Sequence, residues 1–248
     1  MNNLLALTSR ELKAFWYSPI AYVVSGLFLV LQGGVFWLLV TVLNDPRVDP
    51  SFTMSEFFFG GTFFFWFSVL MMTPLLTMRA FSEEKRTGSI ELLLTAPVTD
   101  TQVVVSKFLG AWLSYIMMWV FTISFFIVMQ RWVAIDWGAT LIGYLGTWLL
   151  GGVLIAIGLL ASSLTRNQVI AAVLGFVSIL LLFSIGILDA FVKDPEASQL
   201  IRYLSLLDHL QDFAKGILDT RPLIFYLSLT TIGLFLTGRI ISSPRWRS

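Results

Sequence analysis

The sequence predicts an all-α polytopic membrane protein with six crossing helices, and three observations carry that reading. Of its 248 residues, 57% are hydrophobic, with a mean hydropathy of +0.84. Only 12% are charged, about half the roughly 25% usual for a soluble domain. The 16 Lys+Arg and 15 Asp+Glu also cluster, with long charge-free apolar runs between the clusters. A soluble domain of this size needs far more polar surface, so a water-soluble enzyme is excluded, and so is a disordered chain. The net charge of +1 gives no sign of a nucleic-acid partner. With no cysteine, disulfides, thiol catalysis and thiolate metal sites drop out together, and the redox compartment stays open.

The charges fence the spans. Between Lys13 and Asp45 lie about 31 uncharged residues, more than the roughly 20 a crossing helix needs. The first span is placed at 20–43. The second is 57–78, between Glu56 and Arg79, and the third is 108–129, between Lys107 and Arg131. The fourth is 140–164, the fifth 169–188, ending at Asp189, and the sixth 222–238, between Arg221 and Arg239. The sixth run is at the short limit for crossing, but arginines at both ends can snorkel. Continuous apolar runs argue against transmembrane strands, whose polarity alternates. The whole chain, 1–248, reads as one membrane domain.

Orientation follows Lys and Arg. With the N-terminus in the cytoplasm, ten of the sixteen basic residues fall inside and six outside, so both termini are expected in the cytoplasm. The first apolar run is too long for a cleavable signal peptide, and Leu43-Asn44-Asp45 offers no small-residue cleavage site.

Ahead of the first span, Leu4, Leu5, Leu12, Phe15 and Trp16 share one arc of a helix, opposite Arg10 and Lys13. Only Thr8 and Glu11 interrupt that arc. This describes an amphipathic interfacial helix ended by Pro19, with Leu5, Leu12, Phe15 and Trp16 as its membrane-facing residues.

Between the second and third spans, residues 79–86 read as a charged continuation of the second helix into water. Gly88 breaks it and Pro97 stops a short piece of about two turns. Thr99 and Gln102 have capping-box spacing and start the next helix. The short piece offers Ile90, Leu92, Leu93 and Leu94 with Glu91 as its one charge. It either packs back onto its own bundle and the headgroups or docks to a cytoplasmic partner.

Residues 189–221 are too long and too apolar for a plain loop. Pro195 suits a first helical turn, and apolar residues then recur at helical period from Leu200 to Leu218. One or two amphipathic helices dip into the outer leaflet or cap the bundle. Tyr203, Leu207, Leu210 and Phe213 are the candidate residues of a gate there. His209, the chain's one histidine, reads as a surface residue beside a carboxylate rather than a metal ligand.

Several chemistries are missing. There is no phosphate-binding P-loop string. The predicted spans hold no charged residue and no histidine, which argues against proton relays and voltage sensing. If the chain moves something, another subunit supplies the energy. Packing marks are present instead: Gly152/Ala156 and Gly158/Ser162 in the fourth span, and seven phenylalanines between Phe57 and Phe67 in the second, read as packing or lipid-facing surface.

The run 79–107, centred on Phe81-Ser82-Glu83-Glu84-Lys85-Arg86-Thr87-Gly88-Ser89-Ile90-Glu91-Leu92-Leu93-Leu94-Thr95-Ala96-Pro97-Val98, resembles the ABC-2 type permeases of ATP-binding-cassette transporters. The stretches 208–221 and 226–230 look like the gliding-motility-associated branch of those permeases. The resemblance implies that Gly88, Ser89, Ile90, Glu91, Leu92, Leu93, Leu94 and Pro97 form a coupling helix seated in a cleft of an ATPase subunit. Glu83, Glu84 and Arg86 would lie on the helix leading into it. It implies two cytoplasmic ABC ATPase subunits that hold ATP and Mg, with no cofactor and no catalysis in this chain. It also implies a second permease chain, as homodimer or heterodimer, a possible membrane subunit with an extracytoplasmic domain, and the cytoplasmic (inner) membrane of a bacterium as the location. Two roles follow: export of a lipid, polymer or hydrophobic cargo, or passing ATPase motion to an extracytoplasmic partner without moving cargo.

Overall fold

The computed structural model describes residues 2–44, 53–89, 98–189, 191–192 and 194–243, and every regular element among them is a helix. The chain begins with α1 (Asn2–Trp16) and α2 (Pro19–Leu43). Pro19 opens α2 at a position where a missing N–H breaks no helical bond. Three short elements follow: α3 (Met54–Phe58), α4 (Phe63–Thr77) and α5 (Ser82–Thr87). The long helices α6 (Asp100–Met129), α7 (Trp137–Leu164) and α8 (Gln168–Leu188) come next. Two short helices, α9 (Pro195–Leu204) and α10 (Leu206–Ala214), lead into α11 (Thr220–Ile241). Six stretches are long and apolar enough to cross a membrane: α2, α4 through α5, α6, α7, α8 and α11.

The second span departs from the expected continuous run over 57–78. A turn at Gly60, whose φ of 95° lies in the left-handed region, ends α3, and Thr62 starts a new helix by accepting from Phe65 N–H at 3.2 Å. The Trp66 indole donates to Gly60 C=O at 2.9 Å and fixes the break. Its 15 residues make α4 about 22 Å long at about 1.5 Å each, short of a hydrocarbon core of about 30 Å. Residues 79–86 depart too. They do not run straight on into water: the chain turns after Thr77, and α5 buries Ser82 and Lys85. The sixth helix, by contrast, outgrows its apolar run. Asp219 caps it by accepting from Arg221 N–H at 3.2 Å, and it continues past Arg239 for 22 residues in all.

Helix α7 is the hub, packed on α4, α6, α8, α10 and α11. Lipid gives helices no hydrophobic reason to associate, so close packing and hydrogen bonds must do it. Glycines on α7 make that packing possible: a Cβ at Gly143, Gly146 or Gly151 would stand 2.2–2.5 Å from Phe59, Phe213 or Tyr115. Both small-residue pairs of the fourth span are at contacts: Gly158 faces Thr77, and Ala156 faces Gly233 of α11. Trp119 of α6 centres an aromatic cluster, with ring centroids 5.0 Å from Phe28 and 5.5 Å from Phe65. The phenylalanine run divides between packing and lipid-facing surface: Phe58, Phe59 and Phe65 are buried, while Phe63, Phe64 and Phe67 are exposed. Polar bonds cross the interior as well, with Gln32 Nε2 donating to Ser68 Oγ at 2.6 Å and Thr122 paired to Tyr144 at 2.7 Å.

A candidate coupling site between α5 and α6

Of the eleven expected coupling residues, Ile90, Glu91, Leu92, Leu93, Leu94 and Pro97 lie outside the described residues. The other five, Glu83, Glu84, Arg86, Gly88 and Ser89, belong to the flank that leads in. Gly88 ends α5 with φ 72°, a left-handed cap that a residue with a Cβ adopts only with strain. Ser89 Oγ pairs with Thr87 Oγ1 at 2.9 Å. On the far side, α6 starts with both halves of the expected capping box: Gln102 N–H donates to Thr99 Oγ1 at 3.2 Å, and Thr99 N–H donates to Gln102 Oε1 at 3.1 Å.

An ionic node ties the two flanks together. Lys107 Nζ on α6 donates to Glu84 Oε1 on α5 at 2.7 Å and lies 3.4 Å from both Glu11 oxygens on α1. The Lys107 side chain is only 2% exposed, against 18% for Glu84 and 20% for Glu11. A charge so removed from water is stable only with its partners in place. Arg10 adds bonds to Glu11 at 2.8 Å and to Glu84 at 3.7 Å. The Phe81 ring lies 5.3 Å beneath the ammonium. Glu84 Oε2 is buried and has no hydrogen-bond partner among the described residues. A cleft of about 260 Å³ opens beside the node, lined in part by Phe15, Leu76, Glu83 and Ala111.

A second set of bonds fastens the α4–α5 turn to α7. Ser162 Oγ accepts from Phe81 N–H at 3.1 Å and Ser82 N–H at 3.2 Å, and donates to Met78 C=O at 3.1 Å. Lys85 Nζ donates to Ser163 C=O. One serine thus replaces the helical bonds that the turn gives up. Glu83 is more open and meets Arg86 at 3.7 Å and Arg79 at 4.0 Å.

The interfacial helix also differs from its expected face. Thr8, the polar interruption of the arc, is buried, whereas Leu5 is 66% exposed. Leu12, Phe15 and Trp16 are half-buried. The reason is α6: α1 packs along it so closely that a Cβ at Gly110 would stand 2.7 Å from Glu11 Cβ. The face against protein is chosen by Glu11 and its lysine, and the apolar arc is left partly outside. Sequence reasoning used Lys107 as a fence and as the end of the run 79–107, Glu11 as a flaw in the arc and Ser162 as a small residue. A lysine about two turns inside the helix that Thr99 and Gln102 start was the signal that could have found the node.

The four candidate gate residues divide between two helices and differ in exposure. Tyr203 on α9 is 56% exposed and Leu207 is half-buried, while Leu210 and Phe213 on α10 are fully buried. Helix α10 keys into the bundle against α3, α7 and α8, and Tyr226 of α11 donates to Leu206 C=O at 3.1 Å. His209 is not on the surface as expected. It is buried, with Nε2 3.1 Å from Tyr203 C=O and its ring 4.7 Å from that of Phe225. Helix α9 is latched to the end of α8 by Asp189, which accepts from Ser198 Oγ at 2.5 Å and Arg202 Nε at 2.9 Å. These bonds, the Ser198 one foremost, hold the Asp189 carboxyl below its ordinary pKa.

Six stretches long and apolar enough to cross a membrane, with α1 locked to a charged corner between α5 and α6, define a polytopic helical membrane protein. Residues 41–242 match the family described as ABC-2 family transporter protein, and the chain belongs to that family. It is therefore a membrane permease subunit of an ABC transporter, a class that works in the membrane beside an ABC ATPase and is not normally catalytic itself. No protein of curated function matches the chain.

Proposed function

We propose that the chain couples ATP hydrolysis, by two cytoplasmic ABC ATPase subunits that hold the ATP and Mg, to movement of a cargo across the cytoplasmic membrane of a bacterium. In this reading residues 88–97 are the coupling helix and both termini lie in the cytoplasm, as the ten-to-six bias of basic residues favours. A second permease chain, the same or different, pairs with this one around the path. The stretch 208–221 favours the gliding-motility-associated branch of the family.

One observation carries the reading. Glu84 on the helix before residues 88–97 and Lys107 on the helix after them are joined at 2.7 Å. A push on the intervening segment cannot move α5 without moving α6, and through Glu11 it also reaches α1. Such a joint lets a nucleotide-driven partner shift three helices together. The test is co-purification with an ATPase in mild detergent, using Glu91→Arg and Leu93→Asp. Both substitutions are expected to release the ATPase; retention by both overturns the coupling-helix assignment.

A second reading, a subunit that passes ATPase motion to an extracytoplasmic partner without moving cargo, is favoured by the full burial of Leu210 and Phe213. Reconstituted vesicles separate the two. ATP-dependent flux supports movement of cargo. ATPase stimulation without flux, dependent on an outer partner, supports the transmitter.

A further inference from the structure

A pocket of about 550 Å³ opens between the α4–α5 turn and the junction of α7 and α8. Its described lining includes Arg79, Arg86 and Arg166 and a single acid, Glu83. That acid is shared, at 4.0 Å from Arg79 and 3.7 Å from Arg86. Arg79 Nε donates to Gln168 Oε1 at 3.2 Å, which sets its guanidinium against the first turn of α8. Arg166 lies close enough to the buried Lys85 for the two charges to repel. Positive charge thus collects at one corner, where the apolar part of the bundle ends.

The surface next to this corner is apolar. Val169 lines the pocket, and Val169, Val173 and Val177 follow one another up one face of α8, 69%, 55% and 45% exposed. A charged mouth continuous with an apolar strip matches a molecule with an anionic head and a hydrocarbon tail. A soluble anion would use the mouth and leave the strip idle. Guanidiniums bind phosphate oxygens in pairs, and basic pockets between crossing helices suit anionic headgroups. We propose that this pocket is a binding site for an anionic phospholipid. Arg79, Arg86 and Arg166 take the headgroup phosphate, and one acyl chain lies along Val169, Val173 and Val177.

The test is thermal unfolding of the full-length chain in neutral detergent, with phosphatidylglycerol or phosphatidylcholine added. Phosphatidylglycerol is expected to raise the Tm of the unaltered protein by about 5 °C, and phosphatidylcholine to raise it far less. In the double substitution Arg79→Gln/Arg166→Gln the shift falls to less than about a third, while Arg221→Gln, at the opposite end of the bundle, keeps it whole. Equal shifts for the two lipids overturn the proposal, and so does a full shift in the double variant. The same shift from inorganic phosphate overturns it in favour of a soluble anion. A double variant that loses a bound ATPase but keeps its full phosphatidylglycerol shift reassigns the arginines to the ATPase. Native mass spectrometry of the unaltered protein stands independently of the variant's folding: phosphatidylglycerol retained in preference to phosphatidylcholine is expected, and no preference overturns the site.

Discussion

The two ends of the bundle are fastened by different physics. At the end with α1 and α5, the joints are charges and hydroxyls: Lys107 between Glu84 and Glu11, and Ser162 beneath the α4–α5 turn. At the other end α10 is held chiefly by shape, with Phe213 over Gly146, Leu210 over Gly60 and Leu207 over Gly186, and the one ion pair named there holds α9. A buried ion pair carries displacement from one helix to the next, because parting its charges is costly. An interlocked aromatic cannot move without leaving a void or a clash. The first kind of joint suits a place that receives motion, and the second suits a place that must stay closed until the whole bundle rearranges.

The contrast is sharpest at Lys107. Lys107→Met leaves Glu11 and Glu84 with Arg10 as their remaining cation among the described residues and is expected to cost about 1–3 kcal/mol, read as a fall in Tm and in denaturant midpoint. Neutralising the partners as well, in Glu11→Gln/Glu84→Gln/Lys107→Met, is expected to recover most of the loss, because the missing quantity is charge balance. A triple variant as unstable as Lys107→Met would show that the node is held by packing. At the opposite end, Gly146→Val places a side chain on Phe213 and is expected to cost about 2 kcal/mol. Here repair comes from volume: adding Phe213→Leu restores stability. No recovery there would break the shape argument. Ser162→Ala removes the acceptor for two backbone N–H groups, with an expected cost of about 1–3 kcal/mol and faster amide exchange at Phe81 and Ser82.

The smallest effect is expected at Asp189. Its folded-state pKa lies below the ordinary 3.8, so the clasp on α9 contributes fully above that value and is lost as pH falls through the lower folded value. Hydrogen exchange over residues 194–204 should accelerate in that acid window in the unaltered protein. In Asp189→Asn it should be fast throughout, with no added acid step. A pH-independent difference between the two would remove the carboxylate from the account.

The six crossings were legible because lipid leaves a chain so few options. Every backbone polar group must be satisfied within the segment, so charge-free runs become helices. The α6 capping box and the Pro195 helix start were legible for a similar reason, since each rests on neighbouring residues alone. The break at Gly60 was overlooked because hydropathy does not register a left-handed turn, although Gly60-Gly61 was there to be read. Glu11 and Lys107 stand 96 positions apart, and what brings them together is the close crossing of α1 and α6 at Gly110. No local pattern encodes that crossing, so Glu11 looked like a flaw in an apolar arc.

The seclusion of Lys107 also bears on inheritance. Because its ammonium is closed off from water, a descendant that loses both acids cannot keep the lysine, and one that loses the lysine leaves two acids to share Arg10. Positions 11, 84 and 107 are therefore bound to change as a single character. Related chains should divide into those carrying the whole ionic set and those carrying none of it, with few intermediates between.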